Sequence, residues 1–189
     1  MVDRLSILKI HFWVDMRQKI ATFAGGCFWC LQHDLEGVEG VLATTSGYTG
    51  GKTPNPTYEE VCTGRTGHVE AVEVVYDPSI ITFGQLLERY WHSIDPTRDD
   101  GQFSDKGPQY RPVIFFHDAE QKGVAEASKK ELIQSGKCAR VLVAIEPAQT
   151  FYAAEEYHQK YDQKNPARYQ FYSCNSGRGQ RLKELWGRL

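Results

Sequence analysis

No apolar run in this 189-residue chain is long enough to span a bilayer. Charge of one sign is also missing. The net charge is −2, so there is neither a nucleic-acid footprint nor a polybasic patch for a membrane surface. Five cysteines, Cys27, Cys30, Cys62, Cys138 and Cys174, are an odd number spread along a mid-sized chain, unlike the framework of a secreted disulfide-rich domain. A reducing, cytoplasmic compartment with one or two redox-active thiols fits them better. Cys27 and Cys30 have metal-ligand spacing, but no second Cys pair or His pair matches them, so no metal site is expected. The glycines of 47–51 lack the pattern and the following helix of a phosphate-binding loop.

What remains is an ordinary globular balance, 41% hydrophobic and 24% charged, with enough length for one cored domain. Residues 1–15 contain apolar positions, but Asp3, Arg4, Lys9 and His11 interrupt them and no small-residue cleavage site follows. They read as a poorly ordered extension, or as an upstream mis-assigned start with Met16 the natural one. A single catalytic domain is expected over 16–189, with 166–189 as a wrapped tail. That tail should be mostly irregular because Ser, Asn and Gly fill its centre, with a short helix near 180–186.

The organising stretch is 20–30, Ile-Ala-Thr-Phe-Ala-Gly-Gly-Cys-Phe-Trp-Cys. Its first five residues read as a buried strand, and Gly25-Gly26 permit a tight turn. Phe28, Leu31 and Leu35 recur at helical spacing, so a helix starts at or just before Cys27. A thiol at a helix N-terminus should have a depressed pKa and be nucleophilic. The blander alternative is a buried structural cysteine.

Further strands are expected at 41–45, 68–76, 111–116 and 141–145. Helices are expected at 82–94, from Asp118 to the Gly136 stop, and at 153–164. Residues 46–58 and 95–109 read as long shaped loops. Strand-helix-strand-strand-helix-strand is the split β-α-β order of a ferredoxin-like core. The fold class is therefore α+β, a two-layer sandwich with helices on one face of a mixed or antiparallel sheet.

Glu70 interrupts a valine-rich strand, on the face opposite Val69 and Ala71. It is either a solvent-facing carboxylate or a buried acid with a raised pKa, fit for general acid work. Tyr48, Tyr58 and Tyr110 flank the long loops, where packing is the commoner role. Of Phe28 and Trp29, at least one should stay partly exposed and wall a substrate site. His68 reads as structural, and His33 and His158 as polar-face residues without a role. Cys62 and Cys138 read as packing or inert thiols.

Five blocks in order resemble the A-type peptide methionine sulfoxide reductases, over residues 20–165. They are Gly-Cys-Phe-Trp at 26–29, the paired blocks 47–51 and 54–58, Gly-His-Val-Glu-Ala-Val at 67–72, Asp-Lys-Gly-Pro-Gln-Tyr-Arg at 105–111, and Tyr-His-Gln at 157–159 with Lys-Asn-Pro at 164–166. The resemblance implies Cys27 as nucleophile on the sulfoxide sulfur and Glu70 as the acid that protonates its oxygen. It further implies Tyr58 and Tyr110 as hydrogen-bond donors to that oxygen, Phe28 and Trp29 around the substrate methyl group, and Asp105 positioning the substrate. A Cys27 sulfenic acid would follow, then a disulfide reduced by thioredoxin or another dithiol, with no metal or organic cofactor. The implied substrate is the S epimer of methionine sulfoxide, free or in proteins, and the enzyme a monomer. Two departures stand out: Cys30 where many members have glycine, and Pro112 where many have serine. Cys30 and Cys174 are both candidate resolving thiols, Cys30 being favoured because it needs little motion. The rivals are a general Cys-X-X-Cys thiol-disulfide oxidoreductase, which gives Glu70, Tyr58 and Tyr110 no task, and a non-catalytic module that binds oxidised methionine.

Overall fold

A computed structural model of the chain describes residues 18–187. The expectations for residues 1–15 and for a start at Met16 lie outside them. In chain order the elements are β1 (Lys19–Ala24), α1 (Phe28–Glu36), β2 (Val41–Thr49), α2 (Tyr58–Cys62), β3 (Val69–Tyr76), α3 (Phe83–Ser93), β4 (Gly101–Gln102), β5 (Asp105–Lys106), β6 (Val113–Phe116), α4 (Ala119–Gln134), β7 (Ala144–Pro147), β8 (Tyr152–Ala153), α5 (Tyr161–Lys164), α6 (Pro166–Asn175) and α7 (Arg178–Trp186). One-turn 3-10 helices lie at Pro108–Tyr110 and Glu156–His158.

The main sheet runs β7-β6-β1-β3-β2-β8. Its central four strands are antiparallel in ferredoxin-like order, and only the outer β6–β7 pair is parallel. The expected α+β class with a mixed sheet is therefore what forms. One face of the sheet buries Phe23, Val72, Val74 and Tyr76 against Leu31 and Leu35 of α1, Leu86, Leu87 and Tyr90 of α3, and Ala125 and Leu132 of α4. The opposite face, with Ala24, Val69, Ala71, Val113 and Phe115, is covered by Ala144, Ala148 and Phe151. Strand alternation gives Glu70 the same face as Val72 and Val74, beneath α1.

Three expectations need correction. Strand β2 continues to Thr49 rather than stopping at 45, because residues 46–49 pair with 69–72 of β3. Residues 153–164 are not one helix. Lys160 has a left-handed backbone with φ 51°, and the Gln159 side chain bonds both backbone groups of Ser46, tying the segment to the sheet edge instead of to itself. The tail is helical, not irregular. Pro166 sits in the first turn of α6, where its missing N–H costs nothing, and Ser176-Gly177 form only the junction to α7, with Gly177 at φ 76°. Arg181 of α7 pairs with Asp95 at 2.7 Å and Leu182 is buried, so the tail is anchored behind α3.

The end of β1 is pinned to the helical layer by Tyr90, whose buried hydroxyl donates to the Ala24 carbonyl at 2.8 Å. Tyr90→Phe strands that carbonyl and should cost about 1–2 kcal/mol. A drop of a few degrees in melting temperature is expected by calorimetry; an unchanged midpoint would show that β1 ends where it does without this bond.

Candidate active site

The site begins at the turn between β1 and α1. Gly26 has φ +81° and its N–H donates to the Tyr110 carbonyl at 3.2 Å. A Cβ there would come within 2.6 Å of the Gln102 Cβ, so only glycine lets the turn close on the 101–110 segment. Cys27 follows as the N-cap of α1, its carbonyl accepting from the N–H groups of Cys30 and Leu31. The residue is thus set at a helix start and is partly exposed, with its thiol turned inward enough for burial to act on it.

Under that helix start lies Glu70. Its carboxyl accepts from the Phe28 N–H at 3.0 Å, and the residue is 2% exposed. Two effects compete. The helix N-terminus and its N–H bond favour the charged form, and burial disfavours it. Burial wins, helped by the nearby charge of Asp105, and Glu70 is pushed up to about 8. Of the two sequence readings of Glu70, the buried acid is the one that forms. Glu73, on the other face of the strand, is only partly buried.

The expected low pKa of Cys27 is not met. Burial pushes the thiol up, and its hydrogen bond with Cys30 and the adjacent Glu70 add to this. Cys30 moves the other way: its bond with Cys27 and the charge of Arg178 outweigh its burial and lower it. A helix N-terminus lowers the pKa of a solvated thiol, whereas this one is near Cys30, Glu70 and Asp105.

Tyr58 and Tyr110 both lie close enough to Glu70 and Cys62 for their hydroxyls to be held firmly neutral, burial being the main cause. Tyr58 opens α2 through a Thr57–Glu60 capping box, and its N–H donates to Glu155 at 2.9 Å. Tyr48 hands its hydroxyl to the same carboxylate at 2.8 Å and is fully buried, so it is a packing residue. Asp105 is half-buried and accepts from the Tyr172 hydroxyl. Phe28 is buried, while Trp29 stays partly exposed, as expected of one of the pair.

His158 does not lie on a polar helix face. It is 1% exposed, accepts from the Trp29 indole N–H at 3.0 Å, and packs against Phe28 at 5.1 Å and Tyr58 at 4.4 Å. A helical reading of 153–164 put it on a polar face; the 3-10 turn that forms there turns it inward. Tyr161, stacked flat on Trp29 at 3.8 Å, and Tyr172, edge-on to it at 5.8 Å, were missed for the same reason: no local pattern marks them. Alongside Trp29 runs a groove of about 390 Å³ lined by Tyr161, Ala167, Arg168, Phe171 and Tyr172.

Of the other cysteines, Cys138 is buried and Cys62 exposed. Cys174 is exposed on α6; two residues past Tyr172, it lies about 200° further round the helix, away from α1. His68 is structural, as expected, its ring bonded to the Gly51 N–H and the Thr53 carbonyl. Among the described residues no group of three or more His, Cys, Asp or Glu could hold a metal ion, and no helix is long and apolar enough to cross a membrane.

Comparison with known proteins agrees with this geometry. The sequence model of the family described as peptide methionine sulfoxide reductase matches residues 19–189. The chain is 50% identical over 171 residues to peptide methionine sulfoxide reductase MsrA 2 of Caulobacter vibrioides, covering 90% of this chain and 87% of that protein. It is 50% identical over 173 residues to MsrA of Bacillus licheniformis, covering 91% and 96%. The reduced form of Mxr1 from Saccharomyces cerevisiae superposes with a TM-score of 0.75 at 34% identity, over 85% of this chain and 91% of that one. A cysteine at a helix start over a buried acid, together with this family match along nearly the whole chain, leads to one conclusion: the chain belongs to the A-type peptide methionine sulfoxide reductases, oxidoreductases that act on methionine sulfoxide.

Proposed function

We propose that Cys27 is the nucleophile and Glu70 the general acid, in a single catalytic domain spanning 16–189. The observation that carries this is the Glu70 carboxyl, buried beneath the helix start that bears Cys27 and protonated at neutral pH. A sulfoxide oxygen leaves poorly until it is protonated, so an acid facing the thiol is the missing partner for the reaction. Cys27 gives up its proton and attacks the sulfoxide sulfur. Glu70 protonates the oxygen, with the Tyr58 and Tyr110 hydroxyls donating to it. The hydroxyl then passes from the substrate sulfur to the Cys27 sulfur as the transient S–S bond and the substrate S–O bond break, so methionine leaves and Cys27 is left as a sulfenic acid. The proton lost by Cys27 restores Glu70, so the step balances. Trp29 and Phe28 would hold the methyl group, and Asp105 would orient the substrate. The groove beside Trp29 leaves room for the peptide that carries the sulfoxide. The S epimer is the substrate this site class implies.

Cys30 is the resolving thiol in this reading. It is hydrogen-bonded to Cys27, whereas Cys174 faces solvent. The resulting disulfide would be reduced by thioredoxin, without metal or organic cofactor. Mxr1 of Saccharomyces cerevisiae forms a complex with Trx2, and a partly exposed Cys27 leaves the disulfide open to such a partner. Five cysteines spread along the chain fit a reducing compartment such as the cytoplasm, and a monomer is what the family resemblance implies.

Single-turnover methionine formation should fall as pH rises through about 8, because the group titrating there must be protonated to act. Glu70→Gln, which keeps the acceptor for the Phe28 N–H, should lower the rate by about 10²–10⁴ and erase that limb. A Glu70→Gln rate within a few-fold of the parent would refute the acid role, and disulfide exchange without sulfoxide turnover would favour the general oxidoreductase instead.

Peptide mapping after one turnover without reductant is expected to find Cys27 bonded to Cys30, with Cys174→Ser turning over normally. A Cys27–Cys174 bond with Cys30 free would overturn the assignment of the resolving thiol.

A further inference from the structure

Two of the groups proposed to meet the substrate, Trp29 and Asp105, reach the pocket from different elements, α1 and β5. Tyr172 of α6, which the sulfoxide step does not use, touches both. Its ring stands edge-on to Trp29, 5.8 Å away at 82°, and its hydroxyl donates to the Asp105 carboxyl. The β4–β5 hairpin that carries Asp105 is fastened through Gln102. That side-chain amide accepts from the Asp95 N–H at 2.8 Å and donates to the Asp95 carbonyl at 2.9 Å. This anchorage holds the backbone and does not reach the Asp105 carboxyl. Among the described residues, the Tyr172 hydroxyl is the hydrogen-bond partner that fixes it.

Helical spacing explains how Tyr172 comes to be there. Tyr169 and Ser176, three and four positions away, share its face of α6. That face is turned to the protein: the Tyr169 ring lies 5.2 Å from His33 of α1, and Ser176 is buried. Phe171 and Cys174 point away from it and are exposed. Just beyond the helix, Arg178 pairs with Asp34 of α1 and donates to the Ser93 carbonyl at 3.1 Å, which holds the docked end in place. The Tyr172 bond takes the Oδ2 atom of Asp105 and leaves Oδ1 for a substrate. A sulfoxide group only accepts hydrogen bonds, so the donors that a methionine sulfoxide residue offers a carboxylate are its main-chain N–H groups.

We propose that Tyr172 is a positioning residue: its hydroxyl holds the Asp105 carboxyl turned to the pocket, where the other oxygen accepts the main-chain N–H of the methionine sulfoxide residue. This rests on the reading of Asp105 as the group that orients the substrate. A carboxyl already fixed by one bond has less freedom to lose when the substrate arrives, so the hydroxyl acts on binding and not on the sulfur chemistry.

The test is the burst of methionine formed by the full chain without reductant, measured against the concentration of N-acetyl-methionine sulfoxide methylamide. It yields a half-saturating concentration and a maximal rate for the parent, Tyr172→Phe, Asp105→Ala and the double variant. Tyr172→Phe removes one oxygen and keeps the ring against Trp29. It should raise the half-saturating concentration about fivefold, with the maximal rate within about twofold of the parent. Asp105→Ala should raise that concentration by about tenfold, and adding Tyr172→Phe to it should change nothing further, because the hydroxyl then has no carboxyl to hold. An unmoved half-saturating concentration in Tyr172→Phe, with a raised one in Asp105→Ala, would overturn this inference and leave Asp105 as the orienting group; so would two effects that simply add. No rise in Asp105→Ala would overturn both.

Discussion

The structure depends on one arrangement, a carboxyl group buried under the first turn of a helix. Glu70 takes the Phe28 N–H and is sealed from solvent by the same helix that presents Cys27. Left to the helix alone, that carboxyl would be charged, since one N–H bond and the dipole favour the anion by about 1 kcal/mol. Full burial opposes it more strongly, and the group remains an acid up to about pH 8. The strand that carries Glu70 cannot slip by one residue, because the slip would turn Val72 and Val74 out of the core together with the acid. Register, core and protonation state are therefore set by the same pairing of β1, β2 and β3.

Around that arrangement the chain uses aromatic rings to close the pocket. Trp29 is held by His158, Tyr161 and Tyr172, which come from three different parts of the C-terminal region. Glu155 fastens Tyr48 and the start of α2, and so fixes Tyr58. Tyr110 is set by the bond from Gly26 to its carbonyl. The C-terminal region thus packs around Trp29, and its docking through Arg181, Leu182 and Arg178 holds it there. The Arg181–Asp95 bond belongs to this docking. Burial alone would raise the Asp95 carboxyl, yet the bonds from Arg181 and Thr97 outweigh it and hold the group below its ordinary range.

Much of this was legible in sequence because it is local. The double glycine before Cys27, the helix starting after Thr82, and the alternation through 69–76 each follow from a few neighbouring residues, and each stands in the structure. The errors are equally instructive. Residues 153–164 have helical composition, but their side chains find partners on β2 and α1 instead of along a helix axis. The Ser-Asn-Gly centre of the tail has loop composition, yet it is the short corner between two helices whose docking no local pattern announces.

The sequence by itself determined the fold class, the position of Cys27 at a helix start, and the face of the strand on which Glu70 lies, because period and turn chemistry are properties of neighbouring residues. Only the tertiary structure decided the choice of neighbours: that Glu70 is buried, that burial pushes the Cys27 thiol up, that Cys174 is exposed, and that His158, Tyr161 and Tyr172 pack around Trp29. The reason is physical. Desolvation and charge proximity depend on what distant segments bring to the same few ångströms, and residues 139 or more positions beyond Cys30 supply much of what surrounds it.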